Sequence, residues 1–336
     1  NSPASTSSPS STTKVPRLIL RSLAKINLDL RVLHKRPDHF HELRTVFQTI
    51  SLSDTLEIDY QTSRGTQLEL DDPQFIPDNL VLRAARAALE ALKQHATIRF
   101  RLHKNIPMGA GLGGGSSNAA AVLLALQSLA PRPLSPDRLL ALASELGSDV
   151  PFFLTGGAAL ALGRGTELYP LPDLDQEPIL LIGPGIQVST PAAYQALGLG
   201  LTSPDASRKM NGFQLFVRTL GDLRSAGAAS TLSANDFESA VFSQHPQLKK
   251  MWSRLRKHAA GARMTGSGSA LFALFASSEE RDLAQTVLEG DKVTKASRIL
   301  PARLVSRASY QRMWRKQLAA ACPAHDLWPF PSRRAR

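Results

Sequence analysis

The chain has 336 residues, 43% of them apolar, which provides cores for two domains at ~100–200 residues each and argues against global disorder. Its one cysteine, Cys322, excludes an intrachain disulfide, and no apolar run reaches the ~18–20 residues of a membrane span. The net charge of +12 resembles a nucleic-acid signal, but residues 1–24 hold three Lys/Arg and no acid, residues 292–336 hold eleven and one acid, and the body between holds 26 basic and 27 acidic residues.

The first residues, NSPASTSSPSST, are Ser/Thr/Pro-rich, and a disordered tail is expected over 1–16. They lack acids, as plastid transit segments do, but no arginine precedes Arg17, which favours a floppy bacterial N-terminus. RLILRSLAKINLDLRVL (17–33) reads as one strand or a bent pair of strands. DTLEIDY and TQLELDD alternate at period two and read as antiparallel strands with one wet face. DNLVLRAARAALEALKQH (78–95) has apolar residues at spacings of three and four, with Asp78 or Asn79 as the cap of a helix. ATIRFRLHK (96–104) alternates again and predicts another strand. SPDRLLALASELG (135–147) reads as a helix with Ser135 at its start and Gly147 at its stop. A Gly/Pro-bearing stretch near 163–178 marks a domain break, followed by a buried strand in PILLIGPG, a helical stretch over 235–258 and a strand in ALFALFA.

Between these elements lies PMGAGLGGGSSNAAAVL. Five of the seven positions 109–115 are glycine, and the Ala/Leu-rich stretch from Ser116 onward should be a helix. Glycine admits φ > 0 and lets a bound group touch the main chain. The first amides of a helix have no internal partner, so 109–118 reads as a phosphate cradle. A P-loop needs Gly-Lys-Ser/Thr, and no lysine follows these glycines. Gly109-x-Gly111-x-x-Gly114 matches the dinucleotide fingerprint formally, but the preceding RFRLHK is half-wet and Pro107 intervenes. A tight loop without a ligand is the remaining alternative.

This loop resembles the ATP loop of the galactokinase, homoserine kinase, mevalonate kinase and phosphomevalonate kinase superfamily. Within it, the resemblance is to the family of kinases acting on 4-diphosphocytidyl-2-C-methyl-D-erythritol. It extends from about Ala24 to Phe275 through AKINLDL, DHFHELRTVFQTISLSDTLEI, DNLVLRAAR, the glycine loop, LGSDVPFFLTGGAALALGRG, STPAAY, NDFE and RMTGSGSALFALF. It implies an α+β fold of two domains: an N-terminal nucleotide-binding domain over 17–170 and a ferredoxin-like C-terminal domain over 171–312, with the active site between them. A basic C-terminal tail over 313–336 follows.

The resemblance makes Asp149 the general base and Lys25 its cationic partner; alone, the first reads as a turn or cap and the second as a solvated strand lysine. It assigns ATP binding to Pro107, Met108, Gly109, Ala110, Gly111, Leu112, Gly113, Gly114, Gly115, Ser116, Ser117 and Asn118, and to Asn79 and Lys104 at the adenine. Those last two otherwise read as a helix cap and an exposed strand end. Substrate contacts fall on Asn27, Phe40, His41, Thr190 and Tyr194, with Phe40 and Tyr194 flanking the cytosine and His41 hydrogen-bonding it. The family's Asp-Gly-Tyr-His-Glu-Leu is here DHFHEL: Phe40 keeps a ring but loses a hydroxyl, and His39 puts bulk where the family has glycine. Core packing is the alternative for Phe40 and Tyr194. Gly266, Ser267 and Gly268 match the superfamily's third motif beside the phosphates; a plain hairpin turn is the alternative.

The expected activity is transfer of the γ-phosphoryl of ATP, with Mg²⁺, to the 2-hydroxyl of the cytidyl substrate. Ligands for the Mg²⁺ are unassigned, a serine hydroxyl being one candidate. The protein is expected in the cytoplasm as a monomer or homodimer, with a small-molecule partner and no membrane. A sister kinase acting on homoserine, mevalonate or a sugar is the first alternative. A nucleic-acid or acidic-surface binding protein on a kinase fold, using the basic end, is the second.

Overall fold

The computed structural model describes residues 17–201 and 204–319; the tail expected over 1–16 and residues 320–336 of the basic tail lie outside the described residues. The first half runs β1 (Arg17–Lys35), β2 (His41–Thr62), β3 (Gln67–Asp71), α1 (Leu80–Leu92), β4 (Ala96–His103), α2 (Gly114–Leu129), α3 (Pro136–Leu146), α4 (Val150–Thr155), β5 (Ala158–Gly163) and β6 (Glu167–Pro170). Strand β2 organises the sheet. One edge pairs with β1, and the other is shared by β5 along 43–48 and β4 along 55–62. Helices α1 to α4 cover one face, closing an apolar core around Phe100, Leu123, Phe152 and Phe153. Each ring buried there contributes ~1.5–3 kcal/mol.

Strand β1 alternates exposed and buried residues over 17–22 and is then continuously buried to Leu30. That change locates the site. From Leu23 onward the strand is covered on both faces, because Ala24, Ile26 and Leu28 also pack into a second apolar layer with Ile179, Leu181 and Phe272 of the other half.

The second half runs β7 (Pro178–Gly183), α5 (Thr190–Ala196), α6 (Ala206–Leu223), α7 (Ala226–Ala229), α8 (Phe237–Gln244), α9 (Pro246–Arg256), β8 (Arg263–Met264), β9 (Leu271–Leu274), α10 (Ser278–Gly290) and β10 (Arg298–Arg303). The strand order β10-β7-β9-β8, antiparallel throughout, is the order 4-1-3-2 of a ferredoxin-like sheet. The expected α+β architecture is therefore present in both halves.

Several local expectations are corrected. Strand β3 pairs with β4 in parallel, not in an antiparallel pair, because α1 is inserted between them as a crossover. Helix α2 begins at Gly114, two residues before Ser116, since glycine at Gly113 takes the left-handed turn that starts it. The helical stretch over 235–258 is two helices, broken at His245, whose extended backbone is what the ring of Pro246 demands.

The largest correction is at the C-terminal end. Helix α11 (Arg307–Ala319) crosses the expected start of the basic tail at 313 and returns to the first half. Tyr310, Trp314 and Leu318 recur every fourth residue, all are buried in the first core, and the Tyr310 hydroxyl donates to the carbonyl of Phe153 at 2.7 Å. Arg312, Arg315 and Lys316 stand on the opposite, exposed face.

Candidate active site

A cleft of about 820 Å³ is lined by residues of both halves. Its floor is the bulged middle of β1. The register against β2 shifts between Leu23 and Lys25 and again between Asn27 and Asp29, so these two polar residues sit between two bulges. Lys25 is almost fully buried. Its Nζ donates to Asn27 Oδ1 at 2.9 Å, stands 4.9 Å from the centre of the Phe47 ring, and lies 3.4 Å from Asp149 Oδ2. Asp149 precedes α4 but makes no capping hydrogen bond, and its side chain is 31% exposed on the cleft. The capping and solvated-lysine alternatives are thereby removed, while Asp149 does occupy the turn before α4.

The glycine loop is fixed to this floor by its own main chain. The amide of Lys25 donates to the carbonyl of Leu112 at 3.0 Å. Behind the loop, the carbonyl of Ala110 accepts from the amide of Ala270. Gly111 faces the Thr265 turn so closely that a Cβ there would lie 2.2 Å from the Thr265 carbonyl oxygen. The loop ends at the start of α2, where the amides of Gly114, Gly115 and Ser116 have no acceptor within the helix and the amide of Ser117 bonds back to Gly113. The geometry is that of an anion site. Gly266 and Ser267 line the opposite lip, where the Ser267 and Thr190 hydroxyls are 2.8 Å apart.

At the far end, His41 and Tyr194 stack with ring centres 4.5 Å apart, and Tyr194 meets Phe237 edge-on. Burial, and then the charge of Lys35, hold the His41 imidazole below its ordinary pKa, so it is neutral near pH 7 and offers one donor and one acceptor. Burial, and then the charge of Asp149, push the Tyr194 phenol up to about 12.

Eleven of the expected residues thus share the cleft: Lys25, Asn27, Phe40, His41, Gly111, Gly113, Asp149, Thr190, Tyr194, Gly266 and Ser267. Others do not. Ser117 is buried with its hydroxyl donated to the Leu23 carbonyl, and Asn118 is buried between Ser22 and Asp54, so neither side chain reaches the expected phosphates. Ala110 and Leu112 point into the apolar layer, and Pro107 packs against Gly183, while Met108 is exposed. Gly109 lies near Gln187, and Gly268 packs on Met264 behind the turn. Asn79 caps α1 by accepting from the amide of Val81 and donating to Asp72, at the edge of a separate groove. Lys104 is no exposed strand end: it is buried in an ion pair with Asp54, its Nζ beneath Gly114. Asp54 also accepts from the amides of Asn105 and Ile106, which anchors the approach to the glycine loop. Sequence reasoning passed over Lys35, Phe47 and Arg164 in the lining, although all three lie in or beside quoted motifs.

His39 keeps the left-handed backbone (φ 66°) that glycine would take without cost. Such a conformation costs a side-chain-bearing residue ~1–2 kcal/mol. His39→Gly is expected to raise the stability to urea by about 1 kcal/mol, read as a higher denaturation midpoint at unchanged slope.

A glycine-lined helix start beside a Lys–Asp pair, in a cleft that both α+β halves line, is an arrangement suited to phosphoryl transfer onto a small molecule. The GHMP kinase N-terminal domain matches residues 79–157 and the GHMP kinase C-terminal domain residues 213–292. A 4-diphosphocytidyl-2-C-methyl-D-erythritol kinase of Solibacter usitatus is 49% identical over 319 residues, covering 94% of this chain and 96% of that one. Its counterpart from Syntrophus aciditrophicus is 40% identical over 81% of this chain and 94% of its own. A crystal structure of 4-(cytidine 5'-diphospho)-2C-methyl-D-erythritol kinase superposes with a TM-score of 0.69 at 35% identity, covering 85% of this chain and 99% of that one. The chain belongs to the 4-diphosphocytidyl-2-C-methyl-D-erythritol kinase family, within the GHMP kinases.

Proposed function

We propose that the chain transfers the γ-phosphoryl group of ATP to the 2-hydroxyl of 4-diphosphocytidyl-2-C-methyl-D-erythritol, giving the 2-phosphate and ADP in the non-mevalonate route to isoprenoid precursors. The observation that carries this reading is one continuous cleft, with the Lys25–Asp149 pair beside the glycine loop at one end and the His41–Tyr194 pair at the other. The substrate has the same polarity: a reacting alcohol at one end and a base at the other.

In this reading the amides of Gly114, Gly115 and Ser116 hold the β- and γ-phosphates. Asp149 takes the proton of the 2-hydroxyl as its oxygen bonds to the γ-phosphorus and the bond to the β-phosphate oxygen breaks. Lys25 orients Asp149 through their ion pair and offsets the charge that builds on the transferring group. Neutral His41 meets the cytosine edge, which also presents a donor and acceptors. Stacking of the base on Tyr194 and Phe40 adds ~1–3 kcal/mol. No cluster of three acidic, histidine or cysteine side chains that could cage a metal occurs among the described residues. The site fits Mg²⁺ carried on the ATP phosphates, which then supplies charge neutralisation, with Asp149 and the half-buried Ser116 hydroxyl as the protein oxygens available to it. No helix among the described residues is long and apolar enough to cross a membrane, and we take the cytoplasm as the compartment.

A coupled ADP-release assay across the cytidyl substrate, mevalonate and homoserine tests the assignment. Turnover is expected with the cytidyl substrate alone; comparable turnover of either other alcohol would move the protein to a sister activity.

A further inference from the structure

The basic side chains around the cleft divide into two groups. Lys25, Arg31, Arg36 and Lys104 each have a carboxylate partner. Lys35 and Arg164, which both line the cleft, make no side-chain ion pair or hydrogen bond among the described residues; the acid that feels the Arg164 charge, Asp38, is itself ion-paired with Arg36. Asp149 is the one acid in the lining and already sits beside Lys25. The lining of the cleft therefore carries three cations, Lys25, Lys35 and Arg164, against the one carboxylate of Asp149. The Arg164 guanidinium rests over the Phe40 ring, 4.3 Å from its centre, and that ring is half exposed. All five of its N–H donors are open to a ligand. The neighbouring Gly165 packs toward Leu43 and Phe47, so the turn that carries Arg164 runs from the Lys25 end of the cleft toward the His41 end.

We propose that Arg164 and Lys35 bind the diphosphate of the substrate, Arg164 from a guanidinium held over the Phe40 ring. This rests on the kinase reading above and names a recognition element beyond it. A diphosphate linking two alcohols carries two negative charges, matching the excess of two cations in the lining, and its oxygens suit the planar fork of an arginine. The stack on Phe40 holds the side chain in place before substrate arrives, which reduces the ordering cost of binding. It also gives Phe40 a role that needs no phenol hydroxyl.

The test uses the full chain and two probes, CDP and cytidine, as competitive inhibitors of cytidyl-substrate turnover. Wild type should prefer CDP over cytidine by about tenfold or more, and the preference should shrink as salt is raised. Arg164→Gln should cut that preference at least fivefold and raise the KM for the cytidyl substrate about tenfold, with kcat within about threefold and the KM for ATP unmoved. Arg164→Lys should keep part of the preference, since the charge stays while the planar stack is lost. Arg164 is exposed, so these changes leave the core intact. The double variant Arg164→Gln, Lys35→Gln should lose the preference. Retention of the wild-type CDP-to-cytidine ratio in the double variant, or a wild type that turns over the cytidyl substrate without preferring CDP, overturns this inference and leaves the kinase assignment standing. Absence of cytidyl-substrate turnover in wild type removes that assignment, and this inference with it.

Discussion

Asp149→Asn is expected to lower kcat by about 10²–10⁴ while leaving the KM for ATP within a few-fold. The amide keeps the shape of the carboxylate but cannot take a proton, and its 3.4 Å contact with Lys25 Nζ loses its charge. Asp149 caps nothing and is partly open to solvent, so the variant should melt near the wild-type temperature. Lys25→Met is the companion. Its unbranched chain still fills the space between Phe47 and Gly113, which limits the cavity that alanine would leave. The two losses should not add, because both residues serve one proton transfer: the double variant should be little slower than the slower single. Single-turnover rates with saturating ATP are the measurement. Full turnover by either single variant would remove the proton-transfer role from this pair.

How much of this site could be read from the sequence follows from the length scale of each signal. The glycine loop, AKINL and GSDVP are short motifs whose chemistry is local, and the fold brings Lys25, Gly111, Gly113 and Asp149 into the lining of one cleft. Ser117 and Asn118 belong to the same motif but serve the scaffold. Sequence adjacency does not distinguish them from Ser116, because each step along a helix swings the side chain by about 100°, which carries these two toward β1 and Asp54. The parallel pairing of β3 was likewise beyond period-two alternation, which identifies a wet face but not a neighbour. Net charge was a poor guide at the C-terminal end. Eleven basic residues there pointed to a tail, while the fourfold spacing of Tyr310, Trp314 and Leu318 already marked a buried helical face. Helix α6 is similar: Phe213, Phe216 and Leu220 are its buried anchors, but Leu215 and Leu223 are exposed, so its apolar residues do not mark one face without the layer they pack into. Lys35 and Arg164 show the complementary limit. An excess of cations in a cleft is recognised only once the acids of its lining are located.

Gly111→Ala should damage the site more than any other single methyl group added to the glycine loop. The residue sits at φ 77°, where an L side chain costs ~1–2 kcal/mol. The added Cβ would also lie 2.2 Å from the Thr265 carbonyl oxygen and 3.0 Å from its carbonyl carbon. Both are backbone atoms of a turn held by the Thr265–Ala270 and Asn27–Thr265 hydrogen bonds, so no side chain can swing aside. Relief requires the glycine loop and the Thr265 turn to separate. That breaks the joint between the two halves at the place where Ala110 receives the amide of Ala270. The start of α2 then shifts relative to Lys25, and a displacement of ~1 Å between reacting groups is enough to cost ~10²-fold. The expected outcome is a loss of about 10²-fold or more in kcat/KM for ATP, with a fall in stability of ~2 kcal/mol or more. Gly115→Ala is the internal control for an added methyl. Its Cβ would meet only Leu80 Cδ1 at 3.6 Å, in a helical position where alanine is favoured by ~1 kcal/mol, so its stability should hold or rise. Urea midpoints for both variants, with ATP titrations followed by intrinsic fluorescence, separate strain from lost phosphate contacts. A Gly111→Ala protein that binds ATP as wild type does would show that the two loops need not touch for the nucleotide to be held.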